Sequence, residues 1–233
     1  MPLDLLVFGP HPDDIEIGLG GTIVRHTALG LTVGLCDLTA GELGSNGTPD
    51  ERLREADAAA VILGAAWREN LRWPDGAIDG SSDQIRSAVE LIRKVQPRTI
   101  AIPFADDRHP DHVAASRVLT VAAFRSGLRR YDTGQPPWRA DWVCQYFIND
   151  SRTPSFVIDV TDVYDRKREA LACHRSQLAP SGADAVSTRL THATFTQLIE
   201  SRDAQFGALI GVGFAEGVIV REPVERTTLL RRP

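Results

Sequence analysis

The chain has 233 residues, with Lys+Arg 26 against Asp+Glu 31, a formal net charge of -5 and 42% hydrophobic residues. That length suits a single domain over 1–233 with a sizeable core, and charges of both signs mixed along the chain leave no basic stripe, which excludes a nucleic-acid partner from the expectation. No charged leader, no apolar run near the roughly 20 residues of a membrane span and three scattered cysteines, Cys36, Cys144 and Cys173, predict an unexported cytoplasmic protein that does not enter a membrane and keeps its thiols reduced.

Residues 3–9 read as a strand that empties into Gly9-Pro10-His11-Pro12-Asp13-Asp14, and Glu16 to about Leu29 reads as a helix closed by Gly30. Leu31 to Leu38 is a second strand, so the first unit is strand–helix–strand with a right-handed crossover between parallel strands. Thr39 to Pro49, with Gly41, Gly44, Ser45, Asn46 and Gly47, is a surface loop at the same end of the sheet as the opening turn. A helix over Asp50 to Leu63, a short strand over 66–73, and a helix from Ser81 or Ser82 to about Val95 follow. Thr99 to Phe104 is a buried strand that runs into Ala105-Asp106-Asp107-Arg108-His109-Pro110-Asp111-His112, and a helix continues to about Leu128. Tyr131 to Ala140 is a loop. Trp142 to Ile148 and Phe156 to Val160 read as strands added antiparallel at a sheet edge. Val163 to about Ser176 and Thr194 to Leu209 read as helices, separated by a polar stretch from Pro180 to Thr188. The class is α/β: a mostly parallel sheet flanked by helices, with extra strands and helices toward the C-terminus.

Two His-Pro-Asp tripeptides stand at the ends of two core strands, and this repetition carries the chemistry. Imidazole nitrogen and carboxylate oxygen are ligands that zinc accepts, and a catalytic zinc takes three protein ligands. His11, Asp14 and one of His109 and His112 would supply them. Asp13, adjacent to a ligand, is placed to take a proton from an attacking water, or else to cap the helix that follows. His109 suits oxyanion stabilisation or proton donation, and Arg108 suits substrate anchoring or an ion pair with Asp106 or Asp107. Asp111 orients a ligand histidine from behind or favours the helix N-terminus. Gly18, Gly20 and Gly21 do not make a dinucleotide fingerprint, because GxGxxG from Gly18 would need glycine where Ile23 stands; close helix packing explains them. His26, His174 and His192 read as structural or surface groups. Glu216 either faces the site or turns the chain.

His11-Pro12-Asp13-Asp14-Ile15-Glu16 with Gly18 and Gly20-Gly21, followed by His109-Pro110-Asp111-His112, resembles the PIG-L/LmbE-like family of zinc-dependent N-acetylglucosaminyl deacetylases. Within it, Cys36 to Thr39, Glu42 to Thr48, Asp107 to His112 and Gly211 to Gly217 are most similar to the bacillithiol-biosynthesis deacetylase, which acts on N-acetylglucosaminyl malate. The resemblance implies a Rossmann-like fold, and zinc or another divalent ion such as iron(II) on His11, Asp14 and His112. It implies Asp13 as general base, His109 as oxyanion or leaving-group residue, and Asp111 in support. Arg52 and Arg108 would receive the malate carboxylates, with Asn46 also on the substrate side. It further implies a small-molecule amino-sugar conjugate as partner and a homo-oligomer, commonly a hexamer. Other N-acetylglucosamine conjugates (inositol-, chitobiose- or antibiotic-linked) and a non-catalytic sugar-binding module are the competing expectations. Tyr131, Tyr146 and Tyr164 receive no role.

Overall fold

Strand β1 (Leu5–Gly9) is apolar at every position, and all five residues are buried. Leu5 and Val7 point into one hydrophobic cluster and Leu6 and Phe8 into another, as a period of two requires of a strand covered on both faces. The computed structural model describes residues 3–225, 227 and 228; Met1, Pro2, Arg226 and 229–233, the ends of the expected 1–233 domain, lie outside the described residues. After β1 come α1 (Asp14–Ala28), β2 (Val33–Thr39), α2 (Pro49–Leu63), β3 (Trp67–Trp73), α3 (Ser82–Val95), β4 (Thr99–Pro103) and α4 (Pro110–Ser126). Then follow β5 (Trp142–Tyr146), β6 (Phe156–Asp159), α5 (Tyr164–Leu171), α6 (Arg175–Leu178), α7 (Ala193–Ile210) and β7 (Ala215–Val220). The strands form one seven-stranded sheet in the order β3-β2-β1-β4-β5-β7-β6.

The pairs from β3 to β5 are parallel. The chain first adds strands on one side of β1 and then restarts with β4 on its other side, so the order of strand addition reverses between these two parallel strands. That switch point is where an α/β sheet opens a crevice beyond its strand ends. Local signals set the helices. Thr48 makes a capping box with Glu51, Pro49 takes the first turn of α2, and Gly64 ends it in the left-handed region. Ser81 caps α3 by accepting from the Gln84 N–H. Among the described residues, no helix is long and apolar enough to cross a membrane.

The C-terminal third departs from the sequence reading. Trp142–Tyr146 joins β4 in parallel, and the antiparallel strand is β7, which lies between β5 and β6 and went unread. Its Ala215-Glu216-Gly217 start hides a strand because the charge of Glu216 is neutralised inside the protein. The carboxylate accepts the N–H groups of Gly21 and Thr22 at 2.9 and 2.6 Å and pairs with Lys167 at 2.6 Å. Those N–H groups are free because α1 breaks its helical dihedrals at Leu19. Lys167 also pairs with Asp203 at 2.6 Å, and Asp203 accepts from Tyr164 and Arg202. The expected helix over Val163 to Ser176 is divided into a 3-10 turn, α5 and α6. Gly18 permits the closest approach of α1 to the sheet, since a Cβ there would meet the Tyr146 ring and lie 2.8 Å from the Phe147 carbonyl oxygen.

Candidate metal centre

The turns after β1 and β4 open side by side, because Leu5, Leu6 and Val7 pair with Thr99, Ile100 and Ala101. The first turn holds Asp13 at φ +120°, ψ −28°, a conformation L-residues avoid and one that costs on the order of 1–3 kcal/mol. Its neighbours enforce it. Thr39 donates both its N–H and its hydroxyl to the Pro10 carbonyl at 3.1 and 3.0 Å. Arg52 donates to the Pro12 carbonyl at 2.9 Å, and the His11 N–H donates to Asp14 Oδ2 at 2.9 Å. Asp13 stands at the N-cap of α1 yet makes no side-chain capping bond, so its buried carboxylate is kept for something else.

Three buried ligand atoms converge across the two turns. Asp14 Oδ2 lies 3.1 Å from His11 Nδ1 and 3.3 Å from His112 Nε2. A tetrahedron of ligands about 2.0–2.1 Å from a zinc ion has edges of about 3.3 Å, so this donor set fits zinc in both chemistry and spacing. The far nitrogen of each ring is also engaged. His11 Nε2 is 3.1 Å from Asp75 and 3.3 Å from Asp111. His112 Nδ1 is 3.2 Å from Asp107 and 3.4 Å from Asn149. Carboxylates behind ligand histidines fix ring orientation and raise ligand basicity. His11, His109 and Asp111 could also gather around a cation. That set is the weaker one: His109 Nδ1 accepts the Asp111 N–H, and the Asp111 carboxylate accepts the Gly76 N–H at 2.9 Å.

The charges follow this geometry. Burial opposes a positive His11, but Asp111, Asp14 and Asp75 hold its imidazole well above the ordinary histidine value. Burial likewise works against His112, while Asp14 and Asp107 raise it to about 9. Burial pushes the Asp13 carboxyl up to about 6 against the pull of Arg52. His109 is lowered by burial and by His112 and His11, so its ring is neutral at pH 7. Because Nδ1 accepts from the backbone, the proton of neutral His109 resides on Nε2, which is therefore a donor. The His109 ring stacks on His112 at 4.7 Å and meets His11 edge-on at 4.9 Å.

Two residues expected on the substrate side are bound up elsewhere. Arg52 is buried behind the Asp13 turn, donating to Gly41 and Pro12 carbonyls and lying 3.5 Å from Asp13; only its Nε lacks a partner. Asn46 exchanges two bonds of 2.8 Å with the Val186 backbone, one through its amide nitrogen and one through its amide oxygen. Arg108 is exposed at the mouth. It pairs with neither Asp106, which binds Arg152, nor Asp107, which faces His112. Glu216 lies in the buried network around Lys167 and does not reach the site. Tyr146 donates its hydroxyl to the Phe8 carbonyl at 2.7 Å and Tyr164 to Asp203 at 2.9 Å. His174 is buried, with Nε2 3.3 Å from Glu16, which Arg68 also meets at 2.5 Å. Sequence reading missed Asp75 and Asn149, and gave Asp107 a place in the second motif and as an ion-pair partner of Arg108 but no role behind His112. That place in the motif was the sole advance signal.

Comparison with known proteins bears on the family and the fold. A family model described as PIG-L, GlcNAc-PI de-N-acetylase, matches residues 6–123. The diacetylchitobiose deacetylase of Thermococcus kodakarensis is 30% identical, over 74% of this chain and 69% of its own length. The 1D-myo-inositol 2-acetamido-2-deoxy-alpha-D-glucopyranoside deacetylase of Rhodococcus opacus is 29% identical, over 77% of this chain and 84% of its own. Among solved structures, the conserved protein TT1542 of Thermus thermophilus superposes with a TM-score of 0.89 at 36% identity, covering 99% of this chain and 100% of that one.

Proposed function

The chain belongs to the PIG-L (GlcNAc-PI de-N-acetylase) family, and from that premise we propose that it hydrolyses the N-acetyl group of N-acetylglucosaminyl malate, using a divalent cation, zinc, held by His11, Asp14 and His112. Deacetylation of an N-acetylglucosamine-containing substrate is what its named relatives have in common. The malate conjugate is the finer reading, supported by the motifs around Cys36, Glu42 and Gly211 and by an exposed cation, Arg108, at the mouth. The observation that carries the reading is the buried triad around Asp14 Oδ2, with an uncapped carboxylate, Asp13, next to it.

When bound, the cation supplies Lewis-acid activation of water and of the amide carbonyl at neutral pH. Asp13 takes the proton of the attacking water, and its strained backbone directs the carboxylate away from the cap it would otherwise make. As charge develops on the amide oxygen, the Nε2–H of His109 donates to it without having to ionise first. The proton held by Asp13 passes to the nitrogen as the C–N bond breaks, giving acetate and a free amine. Asp75 and Asp111 steady His11, and Asp107 and Asn149 steady His112. A cytoplasmic site of action accords with three free cysteines, two of them buried. A homo-oligomer, commonly a hexamer in the subgroup the sequence resembles, completes the proposal; a monomer's mass in light scattering would remove that part.

The test is acetate release from N-acetylglucosaminyl malate, the inositol conjugate and diacetylchitobiose, with metal content measured on the same sample. We expect about one zinc per chain and preference for the malate conjugate. Asp13→Asn should keep the metal and lose about 10²- to 10⁴-fold in turnover. Full activity in that variant would refute the base, and preference for the inositol conjugate would refute malate.

A further inference from the structure

Two guanidinium groups, those of Arg108 and Arg189, stand near the metal centre, and neither makes a side-chain ion pair among the described residues. Arg108 precedes His109, and its backbone N–H donates to Asp150 at 2.9 Å; its side chain has no ion pair among the described residues. Arg189 arrives from far along the chain. Its Nη1 donates to Asn149 Oδ1 at 3.2 Å, and the amide of that same Asn149 reaches Asp107 at 3.1 Å and His112 Nδ1 at 3.4 Å. Arg189 is therefore one side chain removed from a metal ligand. It too lacks an ion pair among the described residues and has only the Phe195 ring, 5.5 Å away, beneath its guanidinium.

The position of Arg189 is built in. Residues 180–192 carry little regular structure, but Asn46 grips the segment through both backbone groups of Val186, and Gln177 holds the Asn46 carbonyl at 2.7 Å. Thr188 and Thr191 then close a turn around Arg189, with the Thr188 N–H donating to Thr191 Oγ1 at 3.0 Å. The two arginines feel each other. After burial, Arg108 is the next influence that lowers Arg189, an electrostatic cost that an anion placed between them would relieve. Asp150 and Asp107 act on Arg189 in the opposite sense, but Asp150 accepts the Arg108 backbone N–H and Asp107 faces His112.

We propose that Arg189, together with Arg108, forms the clamp that selects N-acetylglucosamine conjugates bearing a carboxylate on the aglycone, and that Asn46 serves this site by pinning the segment that carries Arg189. The proposal rests on the deacetylase reading above. It reassigns the second anion contact from Arg52, whose guanidinium is held by main-chain carbonyls, to a residue the motifs do not include. Planar guanidinium groups suit a carboxylate because they offer two parallel N–H donors, which an ammonium cannot.

The experiment compares kcat/KM for N-acetylglucosaminyl malate and for methyl N-acetylglucosaminide in the zinc-loaded protein, Arg189→Gln, Arg189→Lys and Asn46→Ala. The wild type should prefer the malate conjugate. Arg189→Gln should cut that preference about tenfold or more, chiefly through KM, since one hydrogen bond to a charged group is worth roughly that factor. Arg189→Lys should restore part of it, and Asn46→Ala should lower it in the same sense. Added salt should weaken KM for the malate conjugate more than for the methyl glycoside. An unchanged preference in Arg189→Gln, or equal losses on both substrates, overturns the clamp. If the wild type releases acetate from neither substrate, the deacetylase reading fails on its own account. Calorimetric binding of N-acetylglucosaminyl malate then decides the clamp: weaker binding in Arg189→Gln upholds it and equal binding overturns it.

Discussion

Replacing Arg52 by glutamine separates a substrate contact from a structural clamp on the catalytic turn. The guanidinium is buried, donates to the Gly41 carbonyl at 3.0 Å and the Pro12 carbonyl at 2.9 Å, and lies 3.5 Å from Asp13. Each bond to a charged donor contributes about 1.5–3 kcal/mol, and Gln can replace at most one of the two. The Gly41 carbonyl still accepts from the Gly44 N–H, but the Pro12 carbonyl has no second donor among the described residues, so its loss is the larger cost and the expected destabilisation is about 2–4 kcal/mol. For a chain of this size that is roughly 5–15 °C in Tm, read by calorimetry. The Pro12 carbonyl bond is also one of the contacts holding Asp13 at φ +120°, so kcat should fall about 10²-fold or more as the base loses its position. KM should change little, and by the same factor for malate and methyl conjugates. Arg52 also draws the Asp13 carboxyl downward. Its removal should therefore raise that pKa and move the acidic limb of kcat to higher pH, because activity needs Asp13 deprotonated. A bound cation lowers the limb in both proteins without changing the direction of this shift. An Arg52→Gln enzyme with unchanged Tm and kcat, and with KM raised only for the malate conjugate, would refute the reasoning and return Arg52 to the substrate.

Metal binding should release protons. His11 and His112 are both held above ordinary histidine, His112 at about 9, so both are protonated at pH 7 without metal and neutral as ligands. Calorimetry in two buffers of different ionisation enthalpy should count about two protons, and affinity should rise with pH up to about 9; release of none would contradict the ligand set. In chelated protein the raised His112 stabilises the fold fully below its unfolded value of about 6.5, and this contribution is lost as pH rises through about 9. Tm of the metal-free protein should therefore fall between pH 7 and 9.5. His109→Ala should lose about 10²-fold in kcat with metal retained, as for removal of one oxyanion donor; unchanged kcat would exclude it from the chemistry. Lys167→Met leaves Asp203 and Glu216 buried opposite an apolar chain, and should cost about 3–5 kcal/mol in denaturant unfolding; a loss below about 1 kcal/mol would mean that those carboxylates take up protons at little cost.

Sequence alone determined the parts of this protein that depend on neighbours in the chain. Two strands each ending in His-Pro-Asp, with metal-competent side chains three residues apart at strand–helix junctions, need only local geometry. The residues that converge at the candidate site, His11, Asp13, Asp14, His109 and His112, were legible, as was the α/β class from the alternation of strands and helices. The tertiary structure decided everything that rests on contact between distant segments. It brought Asp75 behind His11 and, through Asn149, placed Arg189 beside His112. It turned Arg52 inward to hold Pro12, and it inserted β7 between β5 and β6. The physical reason is the same in each case. A buried or partly buried charge goes where folding places its counter-charge or hydrogen-bond partner, and that partner can lie anywhere in the chain. Glu216 could thus stand in a central strand only because Lys167 and the broken first helix meet it there.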